Sequence, residues 1–269
     1  MTSDWFEWGA APKADFAVLG DPIGHSRSPK MHQAWLDATN GGQRYVAIRV
    51  PLDALEQALD RLSDLGYIGV NLTLPLKGRA AELSQSLDPI AARLGAVNTL
   101  RFSDRYGLNT DAPGFAKTLQ PLSLSPGARV LLLGAGGAAR GVAYALSELG
   151  VRLDVWNRNL ERAETMVAEL AIEATVSAQP EWSAYGLIVN ATSGATGVNL
   201  PIDWRQVQPT TIAYDLMYGA PTPFLVQARE RGLQTVDGLD MLVEQGALAM
   251  EFWTHRQVDR SVMLKAALS

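Results

Sequence analysis

Short apolar or β-branched runs alternate with amphipathic ones along most of this chain. "ADFAVLG" (Ala14 to Gly20), "YVAIRV" (Tyr45 to Val50) and "YIGVNLT" (Tyr67 to Thr73) have the length and side chains of strands. Between them, "SPKMHQAWLDAT" from Ser28 and "LDALEQALDRLSDLG" from Leu52 read as helices. In the second, Leu52, Leu55, Leu59 and Leu62 recur at helical spacing, and Gly66 is placed to end it. A βαβαβ order predicts a largely parallel sheet. A second alternation starts near Ala128. It reads "ARVLLLGAG" as strand, "GAARGVAYALSELG" as helix, "VRLDVWN" as strand, "LERAETMVAEL" as helix, then strands "YGLIVNAT" and "TTIAYDLMY". That order predicts an independent doubly wound unit. The tail from Asp240, "DMLVEQGALAMEFWTH", is a helix too apolar to face water on all sides, and a second short helix runs on to Ser269.

Composition narrows the function classes. With 269 residues, 47% of them apolar, the chain can bury one large or two medium cores. A net charge of −5, with Lys and Arg scattered singly, offers no field for a phosphate backbone, so no nucleic-acid partner is expected. There is no cysteine, and His25, His32 and His255 form no ligand cluster, so the expectation is a protein without a metal site. The N-terminal "MTSDWFEWGAAPK" has acid and tryptophan where a signal peptide carries basic residues, and no apolar stretch reaches the ~18 residues of a membrane span. A cytoplasmic protein with no membrane partner is expected.

The string "LLLGAGGAARG" places Gly134, Gly136 and Ala139 at G-x-G-x-x-A spacing, after an apolar strand and at the start of a helix. Gly134 permits the tight turn, Gly136 lets backbone approach a pyrophosphate, and Ala139 lets helix pack close to strand. An NAD site usually carries an acid about 20 residues further on. Here "WNRN" stands there instead, and Arg158 with Arg162, four residues later on the next helix and on the same face, suits a 2′-phosphate. NADP is therefore favoured over NAD.

After the first strand, "GDPIGHSRSPKMH" brings Ser26 and Ser28 around an arginine. Ser28 precedes Pro29 as an N-cap precedes a helix with proline at its first position. Capping accounts for Ser28 alone, and Ser26 stays open between a local turn and a ligand contact. Lys77 follows Pro75 at a strand end, where a lysine is ordinarily a solvated charge. The polar residues Asn98, Thr99, Asn109, Thr110 and Asp111 lie in apolar or glycine-rich settings, and Asp111 is itself a good helix cap. Spacing alone does not pair Lys77 with Asp111.

Taken together, the strings "GDPIGHSRSPKMH", "GVNLTLPLKG", "GAVNTL", "GLNTDAPGF", "LGAGGAARG", "NRN", "VNATSG", "DLMY" and "VDGLDMLVEQGALAMEFW" resemble the shikimate dehydrogenase family, from Phe16 to about Trp253. The resemblance implies reversible reduction of 3-dehydroshikimate to shikimate with NADPH, a step toward chorismate and the aromatic amino acids. By match, Lys77 and Asp111 are the catalytic pair. Ser26 and Ser28 take the shikimate carboxylate with Tyr218 close by, Thr73, Asn98, Asp111 and Gln245 take the ring hydroxyls, and Asn71 lines the same pocket. Gly134, Ala135, Gly136, Gly137 and Ala138 meet the pyrophosphate, Asn157, Arg158 and Arg162 the 2′-phosphate, and Ala191, Thr192, Met217 and Gly238 the ribose and nicotinamide. Asn159 stands where many members have threonine, which would loosen that phosphate clamp. A quinate/shikimate paralogue with relaxed substrate or NAD use, and a binding protein without turnover, are the competing readings. The small-molecule partner is shikimate or 3-dehydroshikimate, and the chain is expected as a monomer or homodimer.

The expected fold is α/β with two domains and a cleft between them. Residues 1–112 with 239–269 form a substrate domain, its mostly parallel sheet completed by the C-terminal helices, and residues 113–238 form a Rossmann-like NADP-binding domain.

Overall fold

The computed structural model describes residues 5–39, 41–125, 127–192 and 200–269, and the chain divides into two compact units. The first comprises residues 1–110 and 242–269, and the second residues 111–241. Asp111 is thus the first residue of the second unit.

In the first unit the elements run β1 (Phe6–Glu7), β2 (Phe16–Gly20), α1 (Ser28–Ala38), β3 (Tyr45–Arg49), α2 (Leu55–Asp64), β4 (Gly69–Leu72), α3 (Lys77–Leu83), β5 (Ser86–Leu87), α4 (Pro89–Leu94), β6 (Thr99–Arg101) and β7 (Tyr106–Leu108). Among the described residues these strands form a seven-stranded sheet in the order β1-β3-β2-β4-β6-β7-β5. The strands β1, β3, β2 and β4 pair in parallel, as the βαβαβ pattern requires. The hairpin β6–β7 enters antiparallel to β4, with Asn71 opposite Thr99. Every residue of β2 and β4 is buried, which explains their unbroken apolar runs.

The helix expected from Leu52 begins later. Leu52–Ala54 is a 3-10 turn and Leu52 is exposed, whereas Leu55, Leu59 and Leu62 of α2 enter the core with Leu19, Ile48, Val70 and Leu100. Gly66 follows α2 with φ of +83°, a conformation glycine adopts without steric cost. Strand β4 is shorter than the run "YIGVNLT", covering Gly69–Leu72.

The second unit runs α5 (Asp111–Leu119), β8 (Arg129–Leu133), α6 (Gly137–Glu148), β9 (Arg152–Trp156), α7 (Leu160–Leu170), β10 (Ala174–Val176), β11 (Leu187–Asn190), β12 (Ile212–Asp215), α8 (Pro223–Glu230) and β13 (Gln234–Val236). Its strands form an all-parallel sheet in the order β10-β9-β8-β11-β12-β13. The order reverses at β8, so the loop after β8 opens at the topological switch point where such sheets take ligands.

Helix α9 (Leu239–Thr254), from Leu242 on, and α10 (Arg260–Leu268) return to the first unit. Ala247, Ala249 and Met250 are fully buried, which accounts for the apolar character of this tail. The Trp253 ring stacks on Phe16 at 5.0 Å, and its indole N–H donates to the Leu100 carbonyl at 3.2 Å. Arg27 fastens α10 by donating to the carbonyl of Ala267 at 2.7 Å.

The close seating of α9 depends on Gly69, where a β-carbon would collide with the Trp253 indole and the Leu100 carbonyl. Gly69→Ala is expected to lower the unfolding free energy by ~2 kcal/mol in a urea titration, within the usual range for overpacking. An unchanged midpoint and slope would contradict this packing.

Candidate active site

The antiparallel hairpin decides which residues share an edge in the first unit. Strands β2 and β4 point their C-terminal ends the same way, so Ser26 and Ser28 after β2 and Thr73 and Lys77 after β4 follow one edge of the sheet. Because β6 runs against β4, its start lies at that same edge, and the N–H of Leu72 donates to the carbonyl of Asn98 at 2.9 Å. Strand β7 returns to the edge in its turn and delivers Asn109 and Thr110. Lys77 is the first residue of α3 and half-buried, and its carbonyl accepts from the Val97 N–H, next to Asn98.

At this edge Asn71, Asn98, Thr99, Asn109 and Thr110 are all buried. Buried amides and hydroxyls cost stability unless paired, and here the pairing has a fixed direction. The N–H of Thr110 can only donate, and it donates to Asn98 Oδ1 at 2.8 Å, which turns Asn98 Nδ2 toward Thr110 Oγ1 at 2.9 Å and Gln245 Oε1 at 3.4 Å. Thr99 Oγ1 also donates to Asn98 Oδ1 at 3.1 Å. Asn71 donates from Nδ2 to the Asn98 carbonyl at 3.2 Å and to Thr99 Oγ1 at 3.0 Å, and its Oδ1 accepts from the Tyr45 hydroxyl at 2.8 Å. The Asn71 amide is therefore engaged within the protein at both ends and acts on this edge by holding its neighbours. Gln245 donates to the Leu242 carbonyl at 2.8 Å, which leaves its Oε1 toward Asn98.

Gln245 is followed by Gly246, where a β-carbon would meet Met31 Cε at 2.5 Å and His32 Nε2 at 3.1 Å. The bare backbone lets α9 lie against α1 and so brings Gln245 to the edge. His32 is fully buried, stacks on the Tyr45 ring at 4.2 Å, and has no hydrogen-bond partner at either ring nitrogen. Burial pushes its imidazole down to about 3.

Ser28 does not cap α1. The helix starts at Ser28 itself, the residue before it is Arg27 with helical φ and ψ, and no side chain caps that position. The Oγ of Ser26 instead accepts from the Ser28 N–H at 3.3 Å, so the local turn belongs to Ser26. Ser28 is buried while Ser26 is only partly so.

In the second unit, Gly134 has φ of +115°, and a β-carbon there would stand 3.0 Å from the Ala191 carbonyl oxygen. Gly136 and Gly137 differ, since a β-carbon on either would meet open space. Packing explains the first glycine, and for the others the room suits a ligand drawn against bare backbone N–H groups at the start of a twelve-residue helix. Ala135 and Ala191 are buried, Ala138 is exposed, and Ala139 is buried in the helix face. A dinucleotide pyrophosphate fits this cradle.

Arg158 and Arg162 do not share a helix face, because α7 starts at Leu160 and Arg158 precedes its cap. Arg158 is exposed, and Arg162 reaches back to the glycine loop, donating from Nε to the Ala135 carbonyl at 3.0 Å. Asn159 caps α7 by accepting from the Arg162 N–H at 3.1 Å, and Asn157 donates to the Asn159 carbonyl at 2.7 Å. Asparagine here does the work of a capping threonine, so the cap is intact. Thr192, Met217, Tyr218 and Gly238 follow the C-terminal ends of β11, β12 and β13. Of the "VNATSG" string, Ser193 and Gly194 lie outside the described residues. Among the described residues no helix is long and apolar enough to cross a membrane, and no cluster of three His, Cys, Asp or Glu is placed to hold a metal ion.

Three family models match the chain. They describe a shikimate dehydrogenase substrate binding domain over residues 18–100, a shikimate / quinate 5-dehydrogenase over residues 117–198, and a shikimate 5′-dehydrogenase C-terminal domain over residues 238–268. A shikimate dehydrogenase (NADP(+)) of Methylobacillus flagellatus is 39% identical over 93% of this chain and 97% of its own. One of Hyphomonas neptunium is 43% identical over 88% of this chain and 90% of its own. The crystal structure of shikimate 5-dehydrogenase from Thermus thermophilus in complex with NADP(H) and shikimate superposes with a TM-score of 0.83 at 39% identity, covering 94% of this chain and 97% of that one.

Two outcomes follow from the site's geometry. Gly136→Ala has space for its methyl and an ordinary φ of −93°, so it should leave thermal stability unchanged or slightly raised while weakening dinucleotide binding at least ~10-fold. Loss of stability in step with loss of binding would contradict the distinction between the glycines. His32 titrates near 6.5 when unfolded and near 3 when folded, so between those values the unfolded state binds the extra proton. Its contribution is complete above pH ~6.5 and is lost as pH falls toward 3, on the order of 5 kcal/mol in all. Unfolding free energy should therefore fall more steeply with acid in the wild type than in His32→Phe, and parallel profiles would contradict it.

Proposed function

The chain belongs to the shikimate dehydrogenase family, and on that footing we propose that it catalyses the reversible NADPH-dependent reduction of 3-dehydroshikimate to shikimate. The observation that carries the reading is the polar edge of the first unit, where Asn98 and Gln245 are held in one orientation on the edge that Lys77 follows. Amide and hydroxyl groups fixed in this way suit a polyol, because a ligand lacking the matching hydroxyls leaves buried groups unpaired. In this reading Thr73, Asn98, Asp111 and Gln245 bind the ring hydroxyls, and Ser26 and Ser28 bind the carboxylate with Tyr218 close to it. Asn71 acts one step removed, through Asn98 and Thr99.

Bound NADPH supplies a hydride. As the carbonyl carbon is reduced its oxygen gains negative charge, and the Lys77 ammonium stabilises that charge and transfers a proton to it, giving the alcohol. Asp111, the second catalytic residue by match to the family, accepts a bond from a substrate hydroxyl. In the reverse direction the hydroxyl proton returns to Lys77. Gly134 to Ala138 bind the pyrophosphate, Asn157, Arg158 and Arg162 the 2′-phosphate, and Ala191, Thr192, Met217 and Gly238 border the ribose and nicotinamide.

The test is to follow NADP reduction with shikimate, and then the other three pairings of NADP or NAD with shikimate or quinate. Turnover is expected to be fastest with NADP and shikimate. Preference for quinate or for NAD would move the chain to the paralogous activity, and no turnover with any pair would reject the enzyme. Lys77→Ala should lower kcat by ~10²-fold or more with a modest change in shikimate KM, as loss of a transition-state proton donor does. A kcat within a few-fold of wild type would sink that role.

A further inference from the structure

Asp215, the last residue of β12, is fully buried and lies opposite Asn190, the last residue of β11. Its carboxylate collects three donors, one from the end of β11, one from the loop after β12 and one from the cap of α8. Oδ2 accepts from Asn190 Nδ2 at 3.0 Å and from Thr222 Oγ1 at 2.5 Å, and Oδ1 accepts from the backbone N–H of Met217 at 3.0 Å. Thr222 also caps α8 by accepting from the Leu225 N–H. The direction of the Asn190 amide is settled by Thr192, whose backbone N–H and hydroxyl both donate to Asn190 Oδ1, at 3.1 and 2.7 Å. Nδ2 is thereby left facing the carboxylate.

Two further bonds close the frame. The Leu216 N–H donates to the Asn190 carbonyl at 3.0 Å, and the Gly238 N–H donates to the Met217 carbonyl at 3.0 Å. A β-carbon at Gly238 would collide with the Leu216 carbonyl, so the β13 loop lies directly on the β12 loop. The carboxylate thus fixes Met217 and, by way of Asn190, Thr192 at the C-terminal edge of the sheet, and Gly238 is held in register with them by its backbone bond to Met217. A neutral isostere cannot reproduce this. An asparagine at 215 has one acceptor oxygen for three donors, so either the Met217 N–H or the Asn190 amide would face a donor.

We propose that Asp215 is the positioning residue of the nicotinamide half-site, setting Met217 through its backbone N–H and Thr192 by way of Asn190, while the adenosine half depends on the glycine loop with Asn157, Arg158 and Arg162. The inference rests on the dinucleotide-dependent reading above for what Thr192 and Met217 touch. It goes beyond that reading by dividing the cofactor site into two halves with separate supports.

The experiment compares binding of a half-cofactor with binding of the whole one on the full chain. Dissociation constants for 2′,5′-ADP and for NADPH are measured for wild type and for Asp215→Asn by fluorescence titration, beside kcat with shikimate. The expected result is 2′,5′-ADP within twofold of wild type, NADPH weakened ~10-fold, and kcat lowered by more than the NADPH KM is raised. Equal weakening of both ligands would show a general structural role and overturn the proposal, as would NADPH binding and kcat within twofold of wild type. If Asp215→Asn does not fold, Asn190→Ala, which removes only the Thr192 arm, is read by the same split. Should wild type prefer NADH, 5′-ADP and NADH replace the pair. A wild type that binds cofactor but does not turn over shikimate would refute the substrate assignment and leave the binding split readable.

Discussion

The first unit is organised around the pairing of one carboxamide. Asn98 is almost fully buried; its amide oxygen accepts from Thr110 and Thr99, its amide nitrogen donates to Thr110 at 2.9 Å and reaches Gln245 only at 3.4 Å, and its carbonyl binds Asn71 and Leu72. A half-paired group at this depth would cost roughly 1–3 kcal/mol, so the cluster forms as a whole or not at all. It joins three strand ends and the tail helix at one edge. The antiparallel hairpin makes this possible, since a parallel β6 would have carried Asn98 to the opposite end of the sheet. Tail helix α9 then has two duties, covering the sheet through Trp253 and presenting Gln245 through the close approach at Gly246.

The second unit meets the same physical demand with backbone and one carboxylate. Glycine at 134 is required by its own conformation and by the Ala191 carbonyl, whereas glycine at 136 leaves room that the protein does not use. At the neighbouring strand ends the loops are tied to Asp215 rather than left to solvent. Rigid walls beside an open cradle are what a site needs if it is to hold a cofactor at one angle, since small errors in the approach of reacting atoms cost large factors in rate.

Much of the architecture was legible as alternating apolar and amphipathic runs, because parallel strands buried on both faces leave continuous apolar segments and their crossover helices leave a 3.6-residue stripe. The hairpin was not, since β6 and β7 are three residues long and show no period, and α3 is a seven-residue helix that starts at the residue of greatest interest. Local chemistry misled at two points. Proline after Ser28 suggested a cap there, yet the helix starts one residue sooner than that pattern implies and Ser26 takes the Ser28 N–H. Arg158 and Arg162 looked like a helical pair, but the helix begins between them. Tyr45 gave no signal at all, being a strand residue whose hydroxyl matters only because Asn71 lies within reach across the sheet. Gly246 and Asp215 were visible as residues but not as constraints, because what requires them is a close approach to another helix or a buried donor set that only the fold brings together.

Hydride reduction of a carbonyl held at the first unit's polar edge, with Lys77 as proton donor, is read by supplying 3-dehydroshikimate with NADPH deuterated at the transferring position of the nicotinamide and following the product by NMR. The expected product is shikimate carrying one deuterium on the carbon that was the carbonyl, with transfer slowed at least ~10²-fold in Lys77→Ala. Absence of deuterium from that carbon in the wild-type product, or equal transfer by Lys77→Ala, would contradict it.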